Sequence, residues 1–280
     1  MISPKTSEKI AFTFFWICGF LVLIPLFVII GYIFVKGIGG LSLSFFLTPP
    51  KGGLTGEGGI SSVIVSTLWL ILLTLAFLLP LGLGASIYLS EYAREGRILR
   101  AIRFSIENLA GVPSIVFGVF GFALFVIALN FNFSILSGAL TLTCLLLPTF
   151  IRTCEEAMRS IPASYREAAF SLGATKFQAI RHIILPSAMP GILTAVILCI
   201  GRAIEETACL YVTIGGSAAM PKSILDSGRP LALHVFYLAM ETRAIDKAMT
   251  TALVLVALIM IINGITVFLA ERFRRMLGGM

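Results

Sequence analysis

Charge is what this sequence has least of. Acidic and basic residues fill 12% of its 280 positions, about half the share in an ordinary soluble domain. That leaves no room for a large water-soluble domain. Histidine occurs twice, at His182 and His234, far apart and with no ligand pattern around either. The five cysteines, Cys18, Cys144, Cys154, Cys199 and Cys209, lie in or beside apolar segments with no C-x-x-C spacing. They suit small buried side chains better than a disulfide framework or a zinc site. No nucleophile–base set and no cluster of metal ligands occurs. No catalytic residue, metal or cofactor is therefore expected.

Apolar sequence is what the chain has in quantity. Hydrophobic residues make up 58% of it and its mean hydropathy is +1.01. At roughly 20 residues per spanning helix, there is room for about five to seven membrane spans. Six segments qualify: about Ala11–Val35, Ile60–Leu89, Leu109–Leu129, Ser134–Ile151, Ala188–Tyr211 and Ala248–Ala270. The first follows Lys5 and Lys9. It is longer than the about 7–15 residues of a signal-peptide core and has no small-residue cleavage site, so it reads as a retained span. Pro25, Pro80 and Pro113 lie in these runs, which suggests a packed bundle whose neighbours satisfy the freed carbonyls. The expectation is an all-α polytopic membrane protein.

The net charge of +7 does not indicate nucleic acid. The basic residues sit in loops beside apolar runs, and no basic stretch is interleaved with exposed aromatics. With the N-terminus in the cytoplasm, fourteen basic residues fall inside, six fall outside, and Arg202 lies within a span. The asymmetry predicts both termini in the cytoplasm. A short outer surface helix is expected within 229–247.

The largest inside loop carries two helix-start signatures. Ser164 with Glu167 fits S-x-x-E, and Thr175 with Gln178 fits T-x-x-Q. Gly173 stands between them, where a left-handed residue would end the first helix. Pro186 predicts the end of the second. Within the fifth span, Arg202 is costly at about 2.5–3.5 kcal/mol near the midplane. Glu206 at i+4 and Glu205 at i+3 are in reach to pair with it. The pair is either a self-compensating structural feature or a gated anion site. Gly216–Ser223 comes close to a phosphate-binding loop, but Pro221 replaces its second glycine and no strand precedes it, so ATP is not expected there.

The loop reads Glu167-Ala168-Ala169, three spacers, Gly173, nine spacers, then Ile183-Ile184-Leu185-Pro186. This resembles the EAA motif of permease subunits of ATP-binding-cassette importers. The resemblance implies the type I (MetI-like) permease fold with six transmembrane helices. It also implies a coupling helix at about 164–173, where Glu167, Ala168, Ala169 and Gly173 meet an ATPase dimer. Asn108–Gly121 is similar to a signature of phosphate-system permeases, which makes Asn108 and Ser114 candidate polar contacts of the path. Gly201–Ala208 resembles the A-R-A-I-G-E-T-A segment of the phosphate permease A subunit, aligning Arg202, Glu206 and Thr207. Gly201 and Glu205 depart from that pattern. A carboxylate at 205 repels an anion unless it is protonated, paired with Arg202 or turned to another helix.

The resemblance implies no enzyme activity in this chain. Its expected partners are a second homologous permease subunit, an ATPase dimer, an extracytoplasmic phosphate-binding protein and the lipid bilayer, and not nucleic acid. Residues 1–55 are expected to form an N-terminal span with its external loop, and 56–275 the transport core, in the cell inner or plasma membrane. Permeases for molybdate or sulfate, and the C-type phosphate permease, carry related patterns.

Overall fold

The computed structural model describes residues 4–51, 56–242 and 244–278. Among them the chain is helical, with isolated bridges only at Pro50–Gly58 and Gly215–Gly228. The helices are α1 (Pro4–Gly37), α2 (Leu43–Leu47), α3 (Ser61–Tyr92), α4 (Arg97–Ala110), α5 (Ser114–Ala128), α6 (Ile135–Arg159), α7 (Ala163–Ser171), α8 (Lys176–Glu205), α9 (Ala208–Tyr211), α10 (Leu231–Met240) and α11 (Ile245–Gly278). Five of them, α1, α3, α6, α8 and α11, are long and apolar enough to cross a bilayer. The bent pair α4–α5 brings the number to six if it counts as one span. The helix expected within 229–247 is α10, but it is not a surface helix: Leu231, Leu233, His234 and Leu238 are buried.

Three further sequence expectations change here. The third span is not one helix over 109–129. α4 and α5 meet at 101° across Gly111–Pro113, because Pro113 disfavours helical backbone at the residue before it. α4 carries Arg97, Arg100, Arg103 and Glu107 and has the character of a helix lying along the membrane surface. The helix after Thr175 does not end before Pro186. It widens into a π-turn at Ile180–Ile184 and continues as α8 to Glu205. A proline ring clashes with the carbonyl four residues back, and the wider turn makes room for it. Finally, the fifth span ends at Glu205 rather than Tyr211, since Glu206 is extended at φ −69 and ψ 128.

α3, α6 and α8 form the centre. Leu70, Leu78, Leu142, Leu146, Phe150, Ile184 and Ile192 share one buried cluster. Small residues set the spacing, as in membrane bundles generally. A side chain at Gly82 would strike the Phe150 ring, and one at Gly191 would strike Ala157. Four buried hydroxyls are satisfied within their own helices: Thr67, Thr74, Thr141 and Thr143 each donate to the carbonyl four residues back at 2.7–2.8 Å. α1 stays outside this core, with its apolar face exposed, and meets α11 where Gly37 approaches Leu253.

Candidate functional site

Two places stand out: the α7–α8 turn at one end of the bundle, and the break between α8 and α9 within it.

α7 begins at Ala163 with Pro162 as its cap. Ser164 therefore lies inside the first turn and makes no cap, so the first of the two expected capping boxes does not form. The second does. Thr175 Oγ1 accepts from the Gln178 N–H at 3.3 Å, and Gln178 Oε1 accepts from the Thr175 N–H at 2.8 Å. Between them Gly173 has φ +80. The Gly173 N–H donates to Phe170 O at 2.9 Å and the Ala174 N–H to Ala169 O at 3.0 Å. This pair of bonds is the Schellman ending, which needs a left-handed residue at the glycine's position. Ala169 is buried, while Glu167, Ala168 and Gly173 are exposed. Tyr165, Phe170, Leu172 and Phe177 are exposed beside them, Leu172 at 89%. Solvated apolar side chains on a capped turn are a docking surface in character.

Sequence reading missed how this turn is held. Arg166 donates from Nη2 to Glu91 Oε1 at 2.7 Å and from Nε to Glu91 Oε2 at 3.3 Å. It also donates to Ile161 O at 2.9 Å and Met158 O at 3.0 Å. The bidentate pair joins α7 to the end of α3. The Glu91 side chain is 6% exposed. Lys176 Nζ lies 5.0 Å from the Tyr92 ring centroid, a second link to the same end of α3. A lone carboxylate at the edge of an apolar run was the signal available, but no spacing rule connects partners 75 residues apart. A second set of ion pairs pins α4 to α6: Arg103 Nη2 meets the nearly buried Glu155 at 2.7 Å and Arg103 Nη1 meets Glu95 at 3.2 Å.

At the break, Arg202 is half-buried in the last turn of α8, an end where a cation is favoured by the helix dipole. The expected Arg202–Glu206 pair is not made. The helix stops at Glu205, so Glu206 leaves the i+4 face. Its Oε1 instead approaches the Cys209 N–H at 3.5 Å, over the start of α9. Among the described residues no carboxylate is in ion-pair contact with Arg202. Glu205 is exposed, and Thr207 Oγ1 donates to its carbonyl at 3.3 Å.

α5 packs on this break. A Cβ on Gly118 would lie 2.8 Å from Cys209 Cα and 2.9 Å from Val212. The stretch 108–121 thus meets, through Gly118, the residues that directly follow 201–208, Cys209 and Val212, 80 residues and more away in sequence. Ser114 is half-buried at the start of α5. Asn108 is on α4, across the bend, where its Nδ2 donates to Phe104 O at 2.6 Å.

The segment that imitates a phosphate loop is a turn closed by Asp226. Its Oδ2 accepts from the Lys222 and Ser223 N–H groups at 2.7 and 2.9 Å. The five cysteines are free, with Cys154, Cys199 and Cys209 buried.

Known proteins agree with this architecture. Residues 79–277 match the family described as binding-protein-dependent transport system inner membrane component. The chain is 31% identical over 248 residues to the probable ABC transporter permease protein YqgI of Bacillus subtilis, covering 84% of each. It is 32% identical over 281 residues to the phosphate transport system permease protein PstA 1 of Mycobacterium tuberculosis, covering 97% of this chain and 91% of that one. Among solved structures, a bacterial ABC transporter involved in import of the acidic polysaccharide alginate superposes with a TM-score of 0.67 at 14% identity, over 96% of this chain and 99% of the other. The MetNI methionine ABC transporter in inward-facing form superposes with a TM-score of 0.54 at 18% identity, over 78% and 94%. At such identities the solved structures speak to the fold, and the sequence matches to the family: this chain belongs to the inner membrane components of binding-protein-dependent transport systems, the permeases of type I ABC importers.

Proposed function

We propose that this chain is a transmembrane permease subunit of an ATP-driven importer of inorganic phosphate. The observation that carries the reading is the contact of α5 with α9 at Gly118 and Cys209. Gly118 belongs to one stretch similar to phosphate permeases and Cys209 directly follows the other, so the two resemblances fall on neighbouring parts of the fold. Relatives named for phosphate transport, matched over most of the chain, support the same substrate.

In this reading Arg202 is the anion contact of the path. Its planar fork suits phosphate oxygens, and among the described residues no carboxylate is in ion-pair contact with it. Thr207, Ser114 and Asn108 supply neutral polar groups along the way, and Glu205 and Glu206 tune the field around the ion. An ATPase dimer docks on the exposed side of α7, at Glu167 and Ala168, with Gly173 setting the reversal. A second homologous permease completes the path. An extracytoplasmic phosphate-binding protein delivers the ion, and both termini face the cytoplasm. The ATPase subunits hydrolyse ATP; this chain turns their closure into motion around a midplane path.

The test is uptake of radiolabelled phosphate by the assembled transporter in proteoliposomes, with molybdate and sulfate as competitors. Phosphate uptake that resists a tenfold excess of either, and that falls at least tenfold in Arg202→Gln, is expected. Uptake suppressed by molybdate or sulfate, with no phosphate transport, would move the substrate to that oxyanion.

A further inference from the structure

On the end of the bundle opposite α7, a cavity of about 270 Å³ opens between the loop after α2 and α10. Lys51, Glu57, Arg229, His234, Tyr237 and Glu241 line it. None of its lining residues lies on α8 or α9, although Tyr237 touches the Tyr211 ring at the end of α9, 5.9 Å between centroids.

The cavity is built around a fixed cation. The Arg229 guanidinium lies over the Tyr237 ring, 4.4 Å from its centroid, and its Nε donates to Gly216 O at 2.6 Å. Those two contacts lock its plane. Among the described residues Nη1 and Nη2 have no hydrogen-bond partner, and no carboxylate is in ion-pair contact with Arg229. Burial lowers its pKa, and the guanidinium nonetheless remains charged at neutral pH. Glu241, in the same cavity, acts on this partly desolvated charge from a distance without ion-pair contact, and leaves Nη1 and Nη2 open to an anion.

A second, independent observation points the same way. His234 is 3% exposed, and its Nδ1 is buried with no hydrogen-bond partner. Burial, with Arg229 nearby, brings its pKa down to about 4, so the ring is neutral at pH 7 and carries one N–H. An orphaned ring nitrogen in a polar cavity calls for a ligand. Lys51 adds an exposed ammonium at the mouth. Glu57 and Glu241 stand at the rim, where they oppose an anion and keep its binding weak.

We propose that this cavity is a binding site for one small tetrahedral oxyanion, with Arg229, Tyr237, His234 and Lys51 as its donors. It would hold the ion at the extracytoplasmic mouth, ahead of Arg202. The choice of phosphate as first probe, the place of the cavity ahead of Arg202 and the use of the Arg202→Gln background rest on the function proposed above; the cavity and its donors do not.

Equilibrium binding of radiolabelled phosphate and sulfate to the assembled transporter tests it, in detergent free of phospholipid and without the binding protein. An Arg202→Gln background removes the path site, so any saturable binding left reports the outer cavity. Arg229→Gln in that background is expected to weaken binding at least about tenfold, the loss of a charge-assisted contact. Glu241→Gln is expected to tighten it roughly threefold by lifting a rim charge, a gain that misfolding does not produce. Equal oxyanion affinity in all three forms overturns the proposal. Binding of sulfate but not phosphate, sensitive to Arg229, keeps the site and instead removes phosphate as the substrate.

Discussion

The Arg166–Glu91 pair is the joint on which the rigidity of the α7 turn depends, and Glu91→Gln tests it. The pair is bidentate, and the two side chains are 22% and 6% exposed. Removing one partner of a buried pair costs about 3–5 kcal/mol. The glutamine keeps one acceptor oxygen, and Arg166 retains the carbonyls of Ile161 and Met158. The expected loss is therefore smaller, about 2 kcal/mol. That corresponds to a roughly 30-fold rise in the open population of α7. Hydrogen exchange on the full chain reads it directly: amides of residues 163–171 should exchange roughly 30-fold faster, while those in the centre of α6 stay protected. Arg166→Gln should cost more, because it also removes the donor to Ile161 O, while Met158 O keeps the Ile161 N–H at 3.4 Å. The double variant should cost less than the sum, as expected for residues in contact. Exchange of α7 within twofold of the parent in Glu91→Gln, or strict additivity in the double variant, would refute the reasoning.

Gly173→Ala meets no neighbour within 4 Å, so its cost is the left-handed backbone alone. About 1–2 kcal/mol is expected, with Gly173→Asn milder; the ratio of ATP hydrolysed to substrate moved should rise more in Gly173→Ala than in Gly173→Asn. Gly118→Ala places a methyl against Cys209 backbone and forces α5 away from α9. Transport should fall at least tenfold while the ATPase subunits still copurify, since overpacking of this kind costs about 1–3 kcal/mol at the locus. Two backbone N–H groups, from Lys222 and Ser223, hold the Asp226 pKa below the usual carboxylate value. The 222–226 turn is therefore stabilised at neutral pH and loses that support as pH falls through the lowered pKa. Exchange of the Lys222 and Ser223 amides should quicken on acidification, and Asp226→Asn should show the faster rate already at pH 7.

Hydropathy and motif spacing made most of this fold legible. Five of the expected spans are helices at the expected places, and Gly173 is left-handed where the alternation of caps required it. What sequence reading missed follows from two physical causes. Proline was weighed wrongly twice: Pro186 was read as a breaker, where a π-turn accommodated the ring, and Pro113 as tolerated within a span, where the chain bends by 101°. The other cause is long-range contact. Helical periodicity put Glu206 one turn beyond Arg202, but the span ended one residue too soon for the rule to apply. Glu91 and Arg166 obey no spacing rule, and neither does the meeting of Gly118 with Cys209.

The error at Pro186 bears on mechanism. Had the second helix ended there, the α7 turn and Arg202 would be joined by a hinge. They are instead joined by one helix, Lys176–Glu205, 30 residues and about 45 Å long. In the proposed transport cycle the α7–α8 turn then has two outputs of different kinds. One is backbone continuity through α8 to Arg202, weakened only at the π-turn. The other is the side-chain joint through Glu91 to α3. Backbone continuity cannot be cut by a surface substitution, whereas the joint can. Glu91→Gln should therefore loosen α3 from the lever, leaving only the Lys176–Tyr92 contact, while α8 continues to follow it. A lever that still drives Arg202 but no longer draws α3 along would consume ATP without full opening of the path, and that separation is what distinguishes two mechanical links from one.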